Sequence, residues 1–258
     1  LVIVLMTSCG EYQSLLKSND YNLVYKKAIE YYNKGDYQRA MNLLDGVRSV
    51  FVGQAKAQNI AYYRAFCSYN MKDYQIASDL FKQFIQTYPE SSFAEECLYM
   101  MGFCDYKASP KPRLDQQVTE KAIREFQLYL SRYPYSMRKD KVNTYMDEMR
   151  DKLSYKAYLS AKNYYLREHY KAAVISLQNC LKDYPGSKYR EEIMYMLFVS
   201  KYQMAVNSVE DKKVERYNNA REEYYYFADE YPNSRYAADV KKMYEDIEAY
   251  LENYKFED

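Results

Sequence analysis

"YYRAFCSYN" occupies residues 62–70 and "YMMGFCDYK" occupies residues 99–107. Both fit one template: Tyr, two residues, a small residue, Phe, Cys, one residue, Tyr. The copies start 37 residues apart. Tyr62, Phe66 and Tyr69 fall at i, i+4 and i+7, which is one stripe of an α-helix, and Tyr99, Phe103 and Tyr106 match them. Tyr25, Ile29 and Tyr32 give an earlier copy. Ala28, Ala65 and Gly102 lie on the adjoining face, where small side chains permit a second helix to pack closely.

Outward from this stretch the repeat widens. "YPES" at Tyr88, "YPYS" at Tyr133, "YPGS" at Tyr184 and "YPNS" at Tyr231 recur every 45 to 51 residues. Eleven residues before each Tyr stands an alanine: Ala77, Ala122, Ala173 and Ala220. A degenerate copy places Ala40 eleven before Phe51, with "FVGQ" in place of Y-P-x-S. Ahead of the alanines come "KGDYQRA" at Lys34, "KDYQIA" at Lys72, "REHYKAA" at Arg167 and "ERYNNA" at Glu215.

Each piece has a physical reading. "KGDY" is a helix–turn–helix corner, with Gly35 taking a left-handed conformation. The alanine lets two helices approach. Proline after Tyr stops the second helix. The Ser that follows is an expected N-cap, and Ser92 to Glu95 reads as a capping box. A helix pair recurring at this period is a solenoid. The expected fold is therefore all-α, a right-handed α-solenoid of five tetratricopeptide-like helix pairs over residues 21–231, with a closing helix over about 234–254. Residues 107–118, "KASPKPRLDQQV", read as an insertion between the helices of repeat three. Residues 137–168 hold no breaker and read as one long helix.

Composition agrees. The chain has 258 residues, only 6 Gly and 6 Pro, and 35 Tyr with no Trp. Lys and Arg number 37 against 36 Asp and Glu, so no basic field exists for nucleic acid. There is no Gly-rich phosphate loop, no nucleophile elbow and no paired-His motif, so no enzyme, cofactor or metal site is expected. His169, the sole histidine, falls in a corner turn and reads as solvated. The acid pairs Glu95–Glu96, Glu191–Glu192 and Glu222–Glu223 also read as solvated faces, because adjacent residues on a helix do not face each other. Cys67, Cys97, Cys104 and Cys180 read as small buried thiols; a bridge between Cys67 and Cys104 is the alternative.

The chain opens "LVIVLMTSCG". Six apolar residues followed by small ones read as the end of a secretory signal, 1–8, too short to span a bilayer. Cys9 directly after them resembles a bacterial lipoprotein box, with Met6 in place of the usual Leu. Cys9 is then the lipid-attachment residue, and 9–20 a polar tether.

An acylated Cys followed by five such repeats resembles the BamD/ComL/YfiO family. The most specific stretch is "PRLDQQVTEKAIREFQLYLSRYPYS", residues 112–136; "KLSYKAYLSAKNYYLREHYKAAV", residues 152–174, is also similar to the family. The resemblance implies an outer-membrane lipoprotein facing the periplasm, in the machinery that inserts β-barrel proteins. Its implied partners are a BamA-like barrel subunit, other subunits of that assembly, and unfolded β-barrel substrates. It implies a substrate groove in residues 21–135 and docking of the barrel subunit by 136–258, with Arg216, Arg221, Tyr224 and Tyr225 on the docking face. Ala157 and Ser176 depart from the family, which often has Glu and Arg there.

In such repeats the first helix of each pair lines the concave surface. The stripe then reads in two ways. It fills the inside of a tight superhelix, or it forms a Tyr-lined trough for an extended peptide ending in an aromatic residue. The trough would comprise Tyr25, Tyr32, Asn33, Tyr62, Phe66, Tyr69, Asn70, Tyr99, Phe103 and Tyr106. Two other functions fit a helical-repeat lipoprotein. One is a SusD-like glycan binder, which the lack of Trp opposes. The other is a cell-envelope or division scaffold, whose usual N-terminal coiled coil is missing here.

Overall fold

The computed structural model describes residues 3–254, with side chains described from residue 10. The described residues form twelve helices and no strand. Helix α1 (Ile3–Leu16) precedes five pairs: α2 (Tyr21–Asn33) with α3 (Tyr37–Val47), α4 (Ala55–Asn70) with α5 (Tyr74–Thr87), α6 (Ala94–Ala108) with α7 (Gln117–Arg132), α8 (Lys139–Leu166) with α9 (Tyr170–Asp183), and α10 (Arg190–Val206) with α11 (Glu210–Glu230). Helix α12 (Ala237–Tyr254) closes the series. The fold is the expected helical repeat, with the long helix and the closing helix where the sequence places them.

The chain divides into two units, residues 1–149 and 150–258. The division falls inside α8, not at the turn near residue 135. The cause is the apolar register of α8. Its early residues Val142, Met146 and Met149 join the core of the first unit, and Tyr158 and Ala161 join a core of the second.

The five repeat alanines, Ala40, Ala77, Ala122, Ala173 and Ala220, are fully buried, as are Ala28 and Ala65. Gly102 shows why that face must be small. A Cβ built on it would lie 2.9 Å from the ring of Phe126, itself fully buried. The corner turns also follow the sequence. Gly35 has φ +81°, and Lys72 and Glu168 hold the same place in their repeats at +67° and +59°. Each such turn closes with an N–H reaching back to the helix end: Asp36 to Tyr31, Asp73 to Ser68 and His169 to Tyr164, at 2.9–3.0 Å.

Three expectations need correction. First, the capping box at Ser92 does not form. The residue at work is Ser91, whose Oγ accepts from the Phe93 N–H at 3.2 Å, while α6 begins without a side-chain cap. Ser136, Ser187 and Ser234 do the same for Arg138, Tyr189 and Tyr236. A serine followed two residues later by its own acceptor bond makes a tight turn, leaving no hydroxyl for the helix N-terminus.

Second, the acid pairs are not solvated faces, except at Glu222, which is exposed as expected. Glu95 accepts from Tyr129 and Ser136, and Glu96 accepts from Tyr62 at 2.8 Å. Glu191 accepts from Ser234 at 2.6 Å, and Glu192 from Tyr158 at 2.9 Å. Adjacent residues on a helix do point apart, and here the two directions are used: one carboxylate reaches the next repeat and the other the previous one. Glu223, on α11, is buried and pairs with Lys201 at 2.6 Å.

Third, residues 10–16 are no loose tether. They continue α1, and Tyr12 and Leu15 are buried in the first core. The Tyr12 hydroxyl accepts from Asn42, and Lys27 pairs with Glu11 at 2.9 Å. The expected signal remnant and Cys9 lie outside the described side chains. Cys67, Cys97, Cys104 and Cys180 are free and buried, so the alternative bridge between Cys67 and Cys104 is absent.

Two expected outcomes follow. Gly102→Val forces its side chain into the immobile Phe126 ring and destabilises the fold by about 1–3 kcal/mol, read by thermal unfolding. The tyrosines give a pH dependence. Burial holds the hydroxyl of Tyr32 up at about 12, and a bond to Glu148 holds Tyr106 there too. Tyr202 is raised likewise by burial and then by Asp246. Raised phenols favour the fold in their protonated form. Their contribution is complete below the ordinary phenol value near 10 and is lost as pH climbs toward about 12. The last portion of the phenolate absorbance, from these buried tyrosines, should therefore rise together with loss of helicity, not ahead of it.

Candidate functional site

The aromatic stripe occupies the first helices of the pairs in the first unit. Within α4, Tyr62 lies 4.6 Å from Phe66, measured between ring centroids, and Phe66 lies 6.4 Å from Tyr69. Tyr69 meets Phe103 of α6 at 6.2 Å, and Phe103 meets Tyr99 and Tyr106 at 5.6 and 5.9 Å. Tyr145 of α8 continues the ladder, 4.4 Å from Tyr106. At the other end Tyr32 of α2 stands 4.9 Å from Tyr63. The structure thus joins Tyr32, Tyr62, Phe66, Tyr69, Tyr99, Phe103 and Tyr106 into one aromatic run. Tyr99 is buried within it; the others are half-buried.

The two asparagines part company. Asn33 is exposed. Asn70 donates to the Phe66 carbonyl of its own helix at 2.8 Å, which ties down its amide. Tyr25, Ile29, Asn33 and Tyr62 share the wall of one recess of about 510 Å³, completed by Asn59 and Phe93. Its apolar floor is aromatic, and its rim carries two amides, Lys26 and Glu30. Such a surface can stack an aromatic or aliphatic side chain and hydrogen-bond a peptide backbone.

Burial keeps the hydroxyls and thiols on these helices in their protonated forms. Burial first, and then the bond to Glu96, pushes the Tyr62 hydroxyl up, so it stays a donor. Burial pushes the thiols of Cys67 and Cys97 up to about 12 and that of Cys180 to about 11. Thiols so raised are poor nucleophiles at neutral pH. Among the described residues no group of His, Cys, Asp and Glu converges as metal ligands.

The second unit carries the same device, which the opening template does not capture. Tyr158 stacks on Tyr189 at 4.3 Å, and Tyr195 on Tyr236 at 4.0 Å. These pairs match Tyr62 on Phe93 at 4.5 Å and, with a guanidinium replacing the ring, Arg138 over Tyr99 at 4.8 Å. The signal lay in the Tyr spacing of seven, 158 to 165 and 195 to 202, and in the residue two after each Y-P-x-S serine.

Of the expected docking residues on α11, Arg216 meets the end of α10, while Arg221, Tyr224 and Tyr225 meet α12 at Tyr244 and Glu248. Arg216 caps the end of α10, donating to the Met204 carbonyl and to Ser208. It also walls a cavity of about 600 Å³ with exposed His169 and Ile175. Arg221 binds Asn218 and lies 3.5 Å from Glu248. Tyr224 stacks on Tyr244 at 3.9 Å, and the Tyr225 hydroxyl meets that of Tyr244 at 3.1 Å. The more exposed ring on this helix is Tyr226, next to Tyr225.

Three solved structures are similar to this chain at low identity and low TM-score. A tetratricopeptide-repeat protein from Bacteroides fragilis is 13% identical, with a TM-score of 0.43 over 90% of this chain and 99% of that one. The TPR2AB domain of yeast Sti1, solved as a pHSP90 complex, is 13% identical, with a TM-score of 0.39 over 88% and 98%. The human IFIT1 dimer is 17% identical, with a TM-score of 0.31 over 92% of this chain and 59% of that one. No curated protein matches the sequence. The pattern of the family "YfiO: Outer membrane lipoprotein" matches residues 17–192 and 156–257, nearly the whole chain. The helix pairs, the Y-P-x-S turns and this match agree: the chain belongs to the YfiO family of outer membrane lipoproteins.

Proposed function

We propose that this protein is a non-enzymatic adaptor of the β-barrel assembly machinery, anchored by lipid on Cys9 to the periplasmic face of the outer membrane. Its first unit receives an extended segment of an unfolded β-barrel substrate. Its second unit docks a BamA-like barrel subunit. The observation that carries the reading is the recess walled by Tyr25, Ile29, Asn33, Asn59, Tyr62 and Phe93. It offers aromatic faces for a terminal aromatic residue and amides for the backbone on either side. Docking by the second unit rests on family membership and on the exposed rings of Tyr225 and Tyr226.

The anchor is checked by mass spectrometry of the mature N-terminus. The expected species begins at an acylated Cys9; an unmodified terminus elsewhere removes the anchor from the reading. Affinity purification after mild detergent extraction checks the rest. The unaltered protein should bring down the barrel subunit, and Tyr225→Asp with Tyr226→Asp should lose it. Tyr25→Ala with Asn33→Ala should retain the barrel subunit but weaken a C-terminal β-barrel peptide by about 1–3 kcal/mol. Unchanged peptide affinity with unchanged helicity would place the peptide elsewhere.

A further inference from the structure

Among the described side chains of the first unit, ten large apolar residues are exposed, and six of them flank connectors on one edge. Leu16 and Tyr21 flank the connector from α1 to α2. Val50 and Val52 lie on that from α3 to α4, and Tyr135 and Met137 on that from α7 to α8. These connectors all lead into the first helix of a pair, so they share an edge. Bonds between neighbouring connectors fix this. Lys56 at the head of α4 donates to Asn22 at the head of α2; Ser91 donates to Gln58; Arg132 donates to the Pro89 carbonyl at 2.9 Å.

The most prominent point is the tip at Tyr135 and Met137, exposed by 97% and 101%. The turn needs its Tyr, Pro and Ser, but not the residues at these two positions. Elsewhere in the chain they are Glu90 and Ser92, Gly186 and Lys188, Asn233 and Arg235. Only this turn places an aromatic and a thioether side by side in water. Exposed Arg132, Lys139 and Lys141 lie beside them in the chain, against the exposed acids Asp140 and, next to the Pro89 that Arg132 bonds, Glu90. Along the edge Lys17 and Arg48 add further exposed cations, with exposed Asp20 beside Lys17.

An apolar tip with a cationic collar suits a bilayer surface better than a protein pocket. Tyrosine settles at headgroup depth, and its neighbouring Met can enter the acyl region. Each Lys or Arg near an anionic surface strengthens binding by roughly fivefold. We propose that this edge of the first unit rests on an anionic lipid surface, with Tyr135 and Met137 entering the interface. The inference uses membership of an outer membrane lipoprotein family and is independent of the peptide recess.

The absence of tryptophan supplies the test. Tyr135→Trp and, as a control on the flank of α5, Ile76→Trp each give the full chain a single indole. Vesicles of phosphatidylethanolamine with phosphatidylglycerol should shift the emission at position 135 to the blue, with quenching by chain-brominated lipid. Position 76 and pure phosphatidylcholine vesicles should show neither. Reversing Arg132, Lys139 and Lys141 to Glu should raise the lipid concentration for the half-maximal shift by at least about tenfold. Water-like emission at 135 on anionic vesicles, or equal shifts at 135 and 76, would overturn the proposal. A shift seen only on adding the barrel subunit would overturn it too, and would give the tip to a protein partner.

Discussion

Helices α6 and α10 each begin with a pair of glutamates, and the stacking around them turns on those carboxylates. Glu96 takes a hydrogen bond from Tyr62 behind it, and Glu192 takes one from Tyr158. Their neighbours Glu95 and Glu191 take one from Ser136 and Ser234 ahead. Later in the series Asp239 and Asp246 accept from Tyr195 and Tyr202. A charged acceptor makes each bond stronger than a neutral pair would be. The arrangement also explains why Tyr is so abundant. Phenylalanine would fill the same space, but only a phenol can pack against the neighbouring ring and strap itself to the next helix.

The same straps bear on function. A stripe whose hydroxyls are spent between repeats is partly a structural element, and Tyr99, Tyr62 and Tyr106 belong to that part. What the straps leave open is the recess beside α2, bordered by Tyr25 and Asn33 on one side and by Asn59, Tyr62 and Phe93 on the other. Tyr62 belongs to both, strapped to Glu96 by its hydroxyl and facing the recess with its ring.

Much of this was legible in the residues. Proline, the left-handed Gly35 and the buried alanines state helix boundaries through local sterics, so the pairs and the long α8 could be read from spacing alone. The device beneath them was harder to see. Glu95 and Glu96 look solvated because the rule for neighbouring helix residues is local, and it says nothing of what stands one repeat away. Ser92 looks like a cap because the capping pattern is short, while the turn beside it uses Ser91. Tyr12 and Leu15 lie in a polar stretch, and their burial depends on a surface built from α2 and α3. For the glutamates the missing information was a contact 34 to 41 residues away and for Tyr12 one 30 residues away, while at Ser92 it was a choice between adjacent serines.

Helix α1 changes how far the protein can roam. The seven residues of free chain from 9 to 16 would reach roughly 23 Å when extended. Wound as a helix and held by Tyr12, Leu15 and the Lys27–Glu11 pair, the stretch from residue 9 to Leu16 covers only about 10 Å. Anything attached at residue 9 is therefore on a short, stiff leash. Tension on it is felt directly by the core of the first repeat, and the first unit sweeps a small volume instead of a wide one.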